Sequence, residues 1–395
     1  MRVGFTLIGG GRGTGGYNYL LNLLSVLLRY QPDRIVPVLF LGSDVAADEA
    51  APFAAVGGLE IVRDPAFDRR RKALALASAL VLGSDAPTRA VFVHHAIDVL
   101  FESARFHGWR LPFPVIAWIP DFQHRELPHM FTRSGWWKRE LGLRAQMAAG
   151  RVVMLSSEDA RRSCERHYPQ TVGRTRTVHF AVPPGSAPSL TDARRVADGY
   201  GLPQRFVFMP NQFSKHKNHL LVVAALRRLT QRGHAVCIAA SGRQLDERHP
   251  DHFPAVERAV AEAGVGDALR LLGLVPYAHL APLMRASMAV LNPSLFEGWS
   301  TPVEEARALG VPLVLSDLDV HREQAGAAAT YFDRHSADSL ADALAALEPP
   351  VPCDADARCE RAHDDTEARV ERFAAHFAAL AADCAARRFP VEARA

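Results

Sequence analysis

The chain has no run of about 18 or more consecutive apolar residues, so no segment reads as a membrane-spanning helix. The N-terminal MRVGFTLIGG carries only a short apolar run before its glycines. A secretory signal needs a longer apolar stretch and a cleavage site, so this segment reads as a first core strand. Cysteine is scarce: Cys164, Cys237, Cys353, Cys359 and Cys384 are odd in number and scattered, with no CxxC and no metal-type pairing with histidine. That argues against a disulfide scaffold or a zinc module and for reduced thiols in the cytoplasm. A strong excess of one charge is also missing: 46 Lys+Arg stand against 43 Asp+Glu, and no basic–aromatic interleaving stands out. Nucleic acid is therefore not an expected partner.

At 395 residues the chain exceeds one ordinary domain, and roughly 150 residues per domain suggests two or three. The charge is unevenly spread. Residues 1–185 hold 23 Lys+Arg and 16 Asp+Glu (+7), and the remainder 23 and 27 (−4). A basic first half suits a phosphorylated substrate or peripheral contact with an anionic membrane surface. The cluster Arg69-Arg70-Arg71-Lys72 contributes most locally, and reads equally well as a solvated helix start.

Short apolar runs alternate with amphipathic stretches. Strands are expected at 3–8, 34–41, 90–94, 115–119 and 152–156, with helices at 17–30 and 71–82. The pattern breaks at AVPPGSAP, residues 181–188, the best linker. A second series follows, with strands at 206–209, 235–240, 269–272, 288–292 and 312–316 and helices between them. Such alternation implies parallel sheets wound by right-handed crossovers. The expected class is α/β, with two doubly wound Rossmann-like domains at 1–185 and 186–363, whose ligands sit beyond the carboxyl ends of the strands in a central cleft. Residues 364–395 read as a terminal helix, either staying with the second domain or crossing back to the first.

The richest segment is LNPSLFEGWSTPVEEARALGVPLVLSD, residues 291–317. Thr301, Pro302 and Glu304 have the form of a capping box, and Gly310 is placed to end the helix. A helix start after a strand suits a diphosphate through its free N–H groups and positive dipole end. Glu305 points about 100° away from Glu304 and is available to hydroxyl groups. Helix caps are common, so these features alone leave a purely structural reading equally open.

Glu297 and Glu305, with the strand, Asn-Pro-Ser, Phe-Glu-Gly, Pro-x-x-Glu-Ala, Gly-x-Pro and Ser-Asp around them, resemble the E-x7-E region of retaining glycosyltransferases of family 4, which have the GT-B fold. That resemblance implies that Glu297 contacts a donor sugar and Glu305 the ribose, with Gly298, Trp299, Ser300 and Thr301 lining the same loop. PNQFSKHKNHLLVVAAL, residues 210–226, is similar to the family's strand–loop–helix segment, which makes Lys217 the diphosphate-binding lysine. Gln212 stands where the family usually has arginine, and Lys215 or Arg243 is the candidate replacement. Ser241 and Gly242 resemble the donor-side glycine loop, and Val275 lies in the stretch that meets the base.

In the first domain, GGGRGTGGYNYLLNLL contains Gly11-x-Gly13-x-x-Gly16, the lettering of a dinucleotide fingerprint. The same resemblance assigns Gly15 and Gly16 to donor or acceptor contact. IPDFQHRELPHMF, residues 119–131, places Asp121 and His124 after a strand, and His94 and His95 end the expected strand before it. A histidine there is suited to proton handling or sugar positioning. With 17 histidines in the chain, a structural role for any one is equally open.

The function implied is metal-independent transfer of a sugar, with retention, from a nucleoside-diphosphate-sugar to a hydroxyl of a glycan or polyprenyl-linked acceptor, as in bacterial surface-polysaccharide synthesis. No cofactor is expected, and the location is cytoplasmic, free or at the inner membrane face. The rival readings are an NAD-dependent oxidoreductase using the N-terminal glycines and a non-catalytic sugar-nucleotide-binding protein.

Overall fold

In the computed structural model, which describes residues 1–8, 15–103, 105–183, 185, 187–348 and 352–386, the chain divides into two units. Unit 1 comprises Met1–Phe122, Arg133–Phe180 and the chain from Arg369 on. Unit 2 comprises Gln123–Thr132 and Ala181–Ala368.

Unit 1 holds a seven-stranded parallel sheet: β1 Arg2–Thr6, β2 Val36–Leu41, β3 Glu60–Arg63, β4 Val99–Glu102, β5 Val115–Trp118, β6 Val152–Leu155 and β7 Thr175–Thr177. The order is β3-β2-β1-β4-β5-β6-β7. Helices cover both faces of such a sheet, so its central strands read as nearly unbroken apolar runs. From Arg369, the terminal helix Pro352–Ala386 contributes Phe373 and Phe377 to this core, against Tyr19, Phe180, Phe5 and Phe101.

The strand expected at 90–94 is instead the end of the helix Ala86–His94. Asp85 caps it by accepting from the Thr88 N–H, and Pro87 sits in its first turn, where no N–H is needed. His94 and His95 accordingly close a helix. The strand of this region is β4, eight residues downstream of Val91 by sequence, and it carries Glu102 fully buried against Arg151 at 2.5 Å.

Unit 2 holds six parallel strands: β8 Val207–Met209, β9 Ile238–Ser241, β10 Leu269–Gly273, β11 Ala289–Asn292, β12 Leu313–Ser316 and β13 Ala329–Phe332. Their order is β10-β9-β8-β11-β12-β13. The period of two sends alternate residues to opposite faces. Val207, Met209, Ile238, Ala240, Leu291 and Val314 enter one core, and Phe208, Ala239, Val290, Leu313 and Leu315 the other. The early part of the terminal helix is tied to this unit by Arg285, which donates to the Ala355 carbonyl at 2.8 Å and pairs with Asp356.

Candidate active site

The strand order of unit 2 reverses between β8 and β11, and the loops leaving two such neighbouring strands diverge to form a crevice at their carboxyl ends. The first loop runs from Pro210 to Lys217 and the second from Pro293 to Ser300. They carry two of the site residues expected from sequence, and the fold brings these together. Lys217 Nζ lies 2.5 Å from Glu297 Oε1, across 80 residues of sequence. Both side chains are largely withdrawn from solvent, at 16% and 9% exposure.

The pair rests on a polar floor. Asn292, fully buried at the end of β11, donates to Ser300 Oγ at 2.8 Å and to Glu297 Oε1 at 3.3 Å. Its side-chain Oδ1 accepts from Asn211 Nδ2 at 3.2 Å, joining the two loops at their roots. Ser294 Oγ lies 2.6 Å from Asn292 Oδ1 and 2.7 Å from Glu297 Oε1, so its one proton serves either oxygen. Asn218, in the left-handed conformation with φ 60°, donates to the carbonyls of Pro293 and Arg334 and holds the turn that aims Lys217.

The electrostatics separate the two glutamates. Burial alone would raise the Glu297 carboxyl, but the positive charge of Lys217, with smaller contributions from His321 and His216, brings it down to about 2. No cation among the described residues acts on Glu305 in this way. Burial pushes it up to about 7, against a hydrogen bond from the Tyr277 hydroxyl at 3.4 Å. Tyr277 is itself pushed up to about 12 by burial and by the Glu305 charge. The site thus presents one carboxylate that is ionised at any physiological pH and one that changes charge near neutrality.

The helix Thr301–Ala308 begins where expected and stops before Gly310, but its start is built differently. Ser300, not Thr301, is the residue preceding it, and no side chain caps it. Ser300 Oγ is held by Asn292, and Glu304 turns toward Arg307 at 3.0 Å and Gln324 at 3.1 Å. Gln324 grips the Ser300 peptide from both sides: its Oε1 accepts from the Ser300 N–H at 3.0 Å, and its Nε2 donates to the Ser300 carbonyl at 3.1 Å. His321, fully buried, donates from Nδ1 to the Ser316 carbonyl at 2.9 Å, and burial holds its pKa below the ordinary value. Asn211, Asn218 and Gln324 are not among the site residues expected from sequence, and Asn292 and Ser294 enter there only as part of the Asn-Pro-Ser of the resembled motif.

The other expected residues are placed as follows. Gly298 and Trp299 are partly exposed on the second loop, Thr301 is partly exposed at the start of the helix, and Ser300 is buried. Ser241 ends β9, buried, and Gly242 follows with φ 150°. A Cβ on Gly242 would come 2.6 Å from the Asn211 carbonyl oxygen, so only glycine lets the loops after β8 and β9 approach this closely. Gln212 is exposed beside that contact. Of its candidate replacements, Arg243 pairs with Glu247 at 3.2 Å and Lys215 carries an exposed side chain. Val275 is buried in the core of unit 2.

His124 groups with unit 2, has zero exposure and meets Phe131 edge-on. Such packing fits a core ring better than one meeting an acceptor. Asp121 belongs to unit 1 and pairs with Arg139 at 2.5 Å. Gly15 opens the helix Gly15–Tyr30, and Gly16 has a packing reason: a Cβ there would lie 2.7 Å from Ile8 Cγ2. Gly11 and Gly13 of the fingerprint lie outside the described residues.

Residues 195–349 match the family model for glycosyl transferases group 1. An 85-residue stretch is 34% identical to the O-antigen chain mannosyltransferase B of Escherichia coli, covering 22% of this chain and 21% of that protein. The chain therefore spans about a fifth of the curated relative it matches. Solved structures resemble it along nearly its whole length. A glycosyltransferase from Rickettsia africae superposes with a TM-score of 0.71 at 12% identity, covering 97% of this chain and 98% of the other. Sucrose-phosphate synthase from Thermosynechococcus elongatus gives 0.72 at 15%, with the same coverage. The Anabaena protein HepE, solved with UDP and glucose, gives 0.60 at 16%, covering 97% and 95%. The fold is that of GT-B glycosyltransferases, with two Rossmann-like parallel-sheet units.

Proposed function

We propose that the protein is a retaining glycosyltransferase of family 4 that moves a sugar from a nucleoside-diphosphate-sugar to a hydroxyl acceptor. The observation that carries this reading is the Lys217–Glu297 pair at the strand-order reversal, one loop before the helix Thr301–Ala308. The ammonium and the helix N-terminus supply the positive charge a departing diphosphate needs. Glu297, permanently ionised, accepts hydroxyls of the sugar, and Glu305 accepts those of the ribose when ionised. Gly298, Ser300 and Thr301 line the diphosphate, with Ser241, Gly242 and Val275 on the base side.

The arriving diphosphate takes Lys217 away from Glu297, so that each partner turns to a different part of the donor. Positioning and charge stabilisation then do the chemistry. The acceptor attacks from the face the diphosphate leaves, and a diphosphate oxygen takes its proton. No residue of the site has to form a covalent bond to the sugar, and the reading requires no metal. A mannosyltransferase and a protein solved with UDP-glucose among the similar proteins put mannose donors and UDP-glucose among the donors to try, and the acceptor we propose is a glycan or polyprenyl-linked glycan of a surface polysaccharide.

The test is incubation with a panel of nucleotide sugars in the presence of chelator, reading released nucleoside diphosphate. Release should depend on Lys217 and Glu305. Full activity of both Lys217→Ala and Glu305→Ala would overturn the site. A saturable NAD(H) signal without nucleotide-sugar binding would return the oxidoreductase reading.

A further inference from the structure

The helix Lys72–Val81 in unit 1 is built inside out. A surface helix of a protein in water turns its large apolar residues inward and charges outward. Here the residues facing the core are the small Ala75 and Ala79, a spacing of four. Leu74, Leu76, Leu80, Val81 and Leu82 face out, each between 44% and 81% exposed. No charged residue occurs from Ala73 to Ser84 to interrupt this face. A contiguous apolar surface of this kind marks something it is meant to meet.

The charges around the helix say what that is. Arg69, Arg70, Arg71 and Lys72 stand at its N-terminal end, where the helix dipole disfavours cations, so helix stability does not account for them. Arg89 lies exposed on the next helix, Ala86–His94, whose Val93 is also exposed. Arg69, Arg70 and Arg71 pair with Glu49, Asp68 and Asp85, and the Asp44 carboxylate accepts from the Arg69 N–H, so five cations against four carboxylates leave +1 beside a neutral apolar face. Arg70 keeps 79% of its side chain in water despite its partner. The helix has 10 residues, about 15 Å, half of what a bilayer core requires, so it cannot cross one.

The geometry points to this face as a membrane-docking surface: the leucines of Lys72–Val81 sink into the headgroup region of an anionic bilayer, and the arginine cluster and Arg89 engage lipid phosphates. This goes beyond the donor site and stands independently of it, since binding to vesicles requires no nucleotide sugar. Anionic lipid is favoured over a protein partner by the pairing of basic residues with aliphatic ones that carry no polar group to specify a partner.

The experiment is co-sedimentation of the full chain with vesicles of phosphatidylcholine, or of phosphatidylcholine mixed equally with phosphatidylglycerol, at low and high salt. Wild type should bind the anionic vesicles, weakly the neutral ones, with a residue of binding that survives high salt. Leu80→Asp/Val81→Asp should lower partitioning at least about tenfold, and Lys72→Glu/Arg89→Glu a similar amount at low salt only. All of these side chains are exposed, so the melting temperature should stay within about 2 °C of wild type. Wild type failing to bind, or the Leu80→Asp/Val81→Asp variant binding as wild type does, overturns the proposal. So does a lipid-free dimer that the same substitutions dissociate, because the face would then belong to a second copy. Donor turnover measured without vesicles should be unchanged in every variant, which separates this outcome from failure of the donor site.

Discussion

Replacing Lys217 by methionine tests the electrostatic core of the site, because it strands a nearly buried carboxylate while keeping the side-chain volume. With its lysine present, Glu297 is held at about 2, against an ordinary 4.5. At about 1.4 kcal/mol per unit, that shift contributes roughly 3 kcal/mol of stability. The sign follows from proton binding. Between pH 2 and 4.5 the unfolded chain holds the proton and the folded chain does not, so this contribution is complete above about 4.5 and lost as pH falls toward 2. In Lys217→Met the relation inverts: burial now dominates, the carboxyl moves above 4.5, and the folded chain becomes the better proton acceptor. The variant should therefore lose about 3 kcal/mol at pH 8, the low end of what stranding a buried charge costs, since the pair keeps some exposure. It should recover part of that at pH 5. Thermal denaturation reads this as a fall of about 6–12 °C at pH 8 and a smaller one at pH 5. Adding Glu297→Gln should bring the double variant back to within about 1 kcal/mol of wild type, because no unpaired charge remains. A single variant losing under about 0.5 kcal/mol at both pH values would refute the claim that Lys217 is what keeps Glu297 ionised.

Glu305 rises to about 7, so donor binding should weaken as pH falls below 7, approaching a tenfold rise in donor KM per unit, and Glu305→Gln should have a high KM at all pH values with that dependence gone. Gln324→Leu removes both hydrogen bonds that fix Ser300 and the one to Glu304, and should lower kcat/KM for the donor by about tenfold or more. Gly242→Val should destabilise unit 2 by about 2–4 kcal/mol, read as a lowered denaturation midpoint, since its side chain would meet the Asn211 peptide. Excess chelator should leave the rate of donor turnover within about twofold of the untreated protein.

Much of the strand framework was legible because a parallel sheet covered on both faces leaves nothing for its strands to be but apolar. The same signal failed at Ala90–His94, where Val91, Phe92 and Val93 read as a strand. The deciding residues are Asp85 and Pro87, which lie upstream of the apolar run. Thr301 and Glu304 misled in the opposite way. The spacing of a capping box is present, but Asn292, eight residues before Ser300, and Gln324, 20 residues after Glu304, hold the groups around the helix start. Local patterns identify what a residue is able to do; the fold decides which partner it does it with.

The same limit explains why the Lys217–Glu297 contact was not readable although both residues were named. Each was placed by its own loop, and nothing local to either says that the loops meet. The meeting is imposed by strand order. Because β8 lies next to β11, everything just past Met209 faces everything just past Asn292, and β9 and β10 are consigned to the other side of β8. Asn211 and Asn292 then take the positions nearest the sheet, where the loops are closest and a short amide can bridge them at 3.2 Å. Lys217 and Glu297 sit further out, where a longer reach is needed and where a ligand has room to separate them. On this view the two asparagines keep the loops in register when the donor breaks the ion pair above them. Asn292→Ala should accordingly cost more than the loss of its own hydrogen bonds. It removes the donor to Glu297, the donor to Ser300 and the link to the first loop together. Its effect on donor KM should therefore exceed that of Ser294→Ala, which removes one hydroxyl from the same carboxylate and leaves the loops joined. Equal effects from the two substitutions would mean that the asparagine bridge does not hold the loops, and that the strand ends alone suffice.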